Sequence, residues 1–104
     1  MQITNTETLP DSEIDEVHGI ARGNTVKARS AGRDFTQGLR NMLGGELKAY
    51  SGLLTEARDE AIDRMVEDAE EMGADAVVNV RLQTSSITEG GSEVLAYGTA
   101  VKLE

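Results

Sequence analysis

No cysteine occurs in the 104 residues, and that absence removes disulfides, thiolate metal sites and thiol nucleophiles together. It suits a reducing cytosol. Tryptophan is absent too, and one phenylalanine and two tyrosines are the only aromatics. The core must therefore come from Ile, Leu, Val, Met and Ala, which bury less area per side chain, so burial against sister subunits would help. Cationic excess is missing: 10 Lys and Arg face 19 Asp and Glu, a formal net charge of −9. That balance opposes binding to phosphate backbones, and nucleic acid is not an expected partner. No apolar run approaches the ~20 residues of a membrane span. The start, Met1-Gln2-Ile3-Thr4-Asn5-Thr6-Glu7, lacks the basic and apolar regions of a secretory leader. The expected location is the cytoplasm, with no membrane partner.

What is present reads as one α+β domain spanning 1–104, since this length supports one core but not two. Ile3 to Thr6 is a short β-prone stretch, and Pro10-Asp11-Ser12 breaks the chain. Glu13 to Ala28 carries recurring β-branched residues, with Gly23-Asn24 interrupting as a bulge or turn would, and predicts a long, bent strand. From Gly32 the spacing of Phe35, Leu39, Met42 and Leu43 predicts a short helix with Asp34 as N-cap, ended by Gly44-Gly45.

A second helix is expected over Glu46 to Met72, roughly 40 Å long. Leu47, Tyr50, Leu53, Leu54, Ala57, Ala61, Ile62, Met65, Val66, Ala69 and Met72 mark its apolar face. Acidic residues cover the other face, Glu60 is spaced to pair with Arg64, and Gly73 follows as C′. Ala74 to Thr84 and Glu93 to Leu103 then predict an antiparallel hairpin turning at Thr88-Glu89-Gly90-Gly91-Ser92. The expected order is β-β-α-α-β-β, a small sheet packed on two helices.

The last strand does not alternate apolar with polar residues as a half-solvated sheet should. Leu95, Tyr97, Val101 and Leu103 lie on one face, while Val94, Ala96, Gly98 and Ala100, small or apolar as well, lie on the other. Two helices can blanket one face, which leaves the second to a partner, and another copy of the chain is the economical cover.

Several stretches resemble the YbjQ family of small prokaryotic proteins. They include the run from Glu13 to Arg29, Gly32-Arg33-Asp34-Phe35, Gly44-Gly45-Glu46 and Leu53-Leu54-Thr55-Glu56-Ala57-Arg58. Gly73-Ala74-Asp75-Ala76-Val77-Val78-Asn79-Val80-Arg81 and Ala96-Tyr97-Gly98-Thr99-Ala100-Val101 complete the set, in order over nearly the whole chain. The resemblance implies an α+β subunit in a ring-like homopentamer, and a heavy-metal-binding label.

The residues themselves supply little for a soft metal. His18 is the one histidine, and on a strand it shares a face with Ile14, Glu16 and Ile20. His18 and Glu16 make half a site, completed only if an oligomer brings equivalent residues together around an axis. A divalent metal is the only cofactor this chemistry suggests. The acidic cluster Glu67, Asp68, Glu70, Glu71 and Asp75 lacks the loop spacing of a calcium site and reads as a solvated helix face. A neighbour's Arg22, Lys27, Arg29 and Arg33 could balance it. No nucleophile elbow, P-loop or dinucleotide fingerprint is present, so an enzyme is not expected. Asn79 and Arg81, read as sharing a strand face with Val77, are polar groups on a central strand that need partners. With Tyr97 they are the candidate lining of a small-ligand site between subunits.

Overall fold

Alanine, more than leucine, sets how helix and sheet meet in this chain. In the computed structural model, which describes residues 1–28, 44–88 and 91–104, five elements follow one another. They are β1 (Gln2–Ile3), β2 (Ile14–Ala28), α1 (Gly44–Glu71), β3 (Ala76–Thr88) and β4 (Gly91–Leu103). The strands form one mixed sheet in the order β1-β3-β4-β2, with β1 parallel to β3 and the other pairs antiparallel.

The long strand, the long helix and the final hairpin stand where the sequence places them, but β2 runs in unbroken register through Gly23-Asn24, and its irregularities fall instead between Ile14 and Glu16 and between Val17 and Gly19. The short helix expected from Gly32 lies outside the described residues, so the described order is β-β-α-β-β, with one helix on the sheet. Gly44-Gly45, expected to end that helix, instead opens α1, where the first turn tolerates glycine.

Ala57, Ala61, Met65 and Ala69 recur every fourth residue along α1, and all four are fully buried. Each alanine removes only about one methyl from water, about 0.8 kcal/mol, so the stripe contributes closeness more than hydrophobic energy. β2 answers with a glycine: a Cβ on Gly23 would collide with the backbone of Ala61 and Met65. Val94, Ala96 and Ala100 of β4, with Val77 and Ala21, complete this layer. The helix ends on Gly73, whose φ of 78° suits a residue without a Cβ. Ala74 N–H donates to Ala69 O at 3.1 Å and Gly73 N–H to Glu70 O at 3.0 Å, which closes the helix by the double bond pattern of a Schellman cap.

A second, smaller cluster lies across the sheet. Leu9, just before the turn at Pro10, is buried against Ala76, Val78 and Val101, with Ile14 and Leu103 at its margin. The N-terminal segment therefore covers one end of the face expected to await a partner. The rest of that face stays open: Ile20 is 68% and Val26 53% exposed, beside half-buried Leu95 and Tyr97. The molecule measures 53 × 23 × 15 Å, long because β2 alone runs 15 residues.

Candidate functional site

His18 sits where β2 is irregular. The register slips between Val17 and Gly19, and Gly19 has a φ of 127°. The slip turns the imidazole toward the end of α1, while Ile20 lies on the open face, so the expected shared face of His18 and Ile20 does not form. Nδ1 lies 2.8 Å from the carbonyl oxygen of Met72. As donor it satisfies one of the carbonyls a helix leaves unpaired at its C-terminus and fixes Nε2 as the acceptor. Nε2 is buried with no hydrogen-bond partner among the described residues, and Glu16 Oε2 is 3.8 Å from it.

A heavy ion tests poorly against that geometry. Among the described residues no three His, Asp or Glu side chains converge as a metal would need, and no thiolate exists in the sequence. One chain offers one enclosed imidazole nitrogen and one carboxylate, which does not fit a resident heavy metal.

The other expected residues separate. Asn79 forms a bulge in β3, with a φ of 56° and its N–H donating to Thr6 O at 2.7 Å. The extra residue reverses the alternation beyond it. Val77 therefore faces the helix, whereas Arg81 pairs in register with Tyr97 on the open face, contrary to the expected common face. Arg81 Nη1 donates to the carbonyls of Asn5 at 3.0 Å and Val80 at 2.9 Å, so the guanidinium anchors the N-terminal segment. Arg81 and Tyr97 come together; Asn79 stands apart beside Thr6. An asparagine within the valine-rich strand was the one available signal, since asparagine tolerates a positive φ.

The acidic helix face is partly matched within the chain. Asp68 Oδ2 accepts the backbone N–H of Arg22 at 3.0 Å. Lys27 Nζ lies 3.0 Å from Glu60, and its hydrogen bond, then its charge, lowers the Glu60 pKa. Arg64, expected to pair with Glu60, instead donates to Asn24 O at 2.6 Å. These contacts border a shallow cleft of about 420 Å³ lined by Arg22, Gly23, Asn24, Asp68, Glu93 and Leu95. Sequence spacing gave no sign of it, because it forms where α1 leans over β2.

The family model described as "Putative heavy-metal-binding" matches residues 1–104. The chain belongs to the YbjQ family. A UPF0145 protein of Halobacterium salinarum is 69% identical over 103 residues, 99% of each chain. One of Natronomonas pharaonis is 70% identical over the same length, again 99% of each, and one of Methanosarcina acetivorans 56%, covering 99% of this chain and 97% of its own. A crystal structure of a DUF74-family protein of unknown function from Pediococcus pentosaceus matches with a TM-score of 0.67. It covers 100% of this chain and 98% of that one at 14% identity, a likeness of fold alone. No described helix of this YbjQ chain is long and apolar enough to cross a membrane.

Proposed function

We propose that this YbjQ protein is a cytoplasmic, non-catalytic binding module that works as a homo-oligomer, five copies in a ring, and takes a small ligand where subunits meet. The observation that carries the reading is the open sheet face, where Ile20 and Val26 are 68% and 53% exposed beside Leu95 and Tyr97. Apolar residues gathered on one sheet face favour a partner surface. The thin alanine-rich core argues the same way, because few large side chains are buried among the described residues. Five is the count the family resemblance implies. Arg81 and Tyr97, opposed on that face, are the polar groups a ligand at a junction would meet. Light scattering on a size-exclusion column tests the assembly: a stable multimer that Ile20→Asp and Val26→Asp reduce to smaller species is expected. A monomer at every concentration would end the reading. Native mass spectra of gently purified protein should carry an extra mass if a ligand is retained.

A second reading has one observation in its favour, the unpartnered Nε2 of His18 with Glu16 3.8 Å away. Copies meeting near His18 could complete a metal site from several imidazoles and carboxylates. Calorimetric titration with Zn²⁺, Cu²⁺ and Ni²⁺ checks this, and unchanged binding in His18→Ala would remove it.

A further inference from the structure

A sheet that does not close has two edges, and this chain treats its two edges differently. At the β2 edge the outward N–H of Arg22 is taken by Asp68 and the outward carbonyl of Asn24 by Arg64, while Lys27 pairs with Glu60 beside them. Helix side chains thus occupy backbone groups that a foreign strand would need. At the other edge, β1 and the segment after it cover only the first part of β3: Thr4 N–H donates to Val77 O, Asn79 N–H to Thr6 O and Val80 N–H to Thr4 O. Beyond Val80 no backbone partner appears on that side among the described residues, and Arg81 to Ser86 are all exposed.

The register tells which groups are offered there. In an antiparallel ladder a residue's N–H and C=O point to the same side, and the side alternates along the strand. Arg22 points out of the sheet, so its partner Tyr97 points to β3 and bonds Arg81. Leu82, Thr84 and Ser86 must then point outward. Leu82 to Thr88 reads Leu-Gln-Thr-Ser-Ser-Ile-Thr, without a charge, a proline or a glycine. Charge and proline, which usually keep a second strand off an edge, are absent here, and the register irregularities of β3 flank Leu82–Ser86 without interrupting it, in a chain whose net charge of −9 otherwise holds copies apart.

We propose that the β3 edge pairs with the same edge of a second copy, antiparallel, about a twofold axis at Thr84. This rests on the self-association proposed above and adds to it a contact between two such assemblies. In that register Leu82 faces Ser86 of the other copy, Thr84 faces Thr84, and Gln83 faces Ser85. Every outward backbone group from Leu82 to Ser86 gains a partner, and no two like charges are opposed. An isologous contact joins chains in twos, so any assembly containing it has an even number of subunits, and a five-membered ring would be joined to a second ring.

The absence of cysteine makes the test clean. Directly opposed residues of a hydrogen-bonded antiparallel pair have Cα atoms about 5.5 Å apart, within disulfide reach. Thr84→Cys, oxidised with glutathione disulfide, should give ~10-fold more covalent dimer than Asp59→Cys on the exposed helix face, because pairing raises the local thiol concentration. Thr84→Pro, which removes an outward N–H, should halve the mass seen by light scattering. A wild-type oligomer whose Thr84→Cys form cross-links no better than Asp59→Cys would overturn edge pairing and leave self-association standing. A wild-type monomer at every concentration would overturn both.

Discussion

The sheet end around Val101 and the end around Thr84 are built from the same β3–β4 hairpin, yet among the described residues only the first is closed on both faces. At the Val101 end, Leu9 closes one face and the foot of α1 the other, so Ala76, Val77, Ala100 and Val101 are fully buried. At the Thr84 end α1 covers Val94 on β4, while Leu82 on the neighbouring strand remains 45% exposed. Hydrophobic stabilisation scales with area removed from water, so the first end holds the fold together by itself and the second has burial still to gain. The same substitution at each end measures the difference. Leu9→Ala should destabilise the folded chain by about 3 kcal/mol, the cost of a cavity in a sealed site. Leu82→Ala should cost less than about 1 kcal/mol in dilute protein, and more where copies associate. Urea unfolding at two concentrations reads both values, and equal losses in dilute protein would erase the contrast.

A smaller effect comes from the layer between the ends. Thr25 of β2 is 2% exposed under α1, and its hydroxyl has no hydrogen-bond partner among the described residues. An unsatisfied buried hydroxyl carries a desolvation penalty that a methyl of the same shape avoids. Thr25→Val should therefore raise stability by about 1 kcal/mol, seen as a higher urea midpoint at unchanged slope. A loss instead would mean that the hydroxyl is satisfied in the assembled protein.

Much of the helix layer was readable in the residues. Ala57, Ala61, Met65 and Ala69 at fourfold spacing name the buried stripe, and Gly73 names the end of the helix, because both depend on local periodicity. What could not be read depends on one inserted residue. The bulge at Asn79 moves Arg81 to the face opposite Val77, and the slip at His18 separates it from Ile20. Strand alternation has period two, so a single extra residue reverses every assignment after it. For the same reason the partners of Asp68, Lys27 and Arg64 were out of reach: they join α1 to β2 across about 40 positions and follow from how the helix leans. The cleft beside Arg22 is a product of that lean.

The smallest expected effect also belongs to the closed end. Asp75 lies between Gly73 and the start of β3, and its Oδ2 accepts the backbone N–H of Leu103 at 2.9 Å with Lys102 Nζ 3.6 Å away. The Leu103 hydrogen bond, helped by the Lys102 charge, holds the Asp75 pKa below its ordinary value. A depressed folded pKa contributes stability that is present above the unfolded value, about 3.9, and is lost as pH falls through the folded value. Asp75→Asn has no charge to lose on that path. The wild-type chain should therefore exceed Asp75→Asn in urea midpoint near pH 6, and the two should converge as pH falls through the folded value. Because the carboxylate is solvent-exposed the gap is small. A gap that stays constant from neutral pH into acid would assign the Asp75 contribution to geometry rather than charge. The tie between β3 and the last residues of β4 would then rest on a hydrogen bond that the carboxyl oxygen accepts in either protonation state and that asparagine does not reproduce.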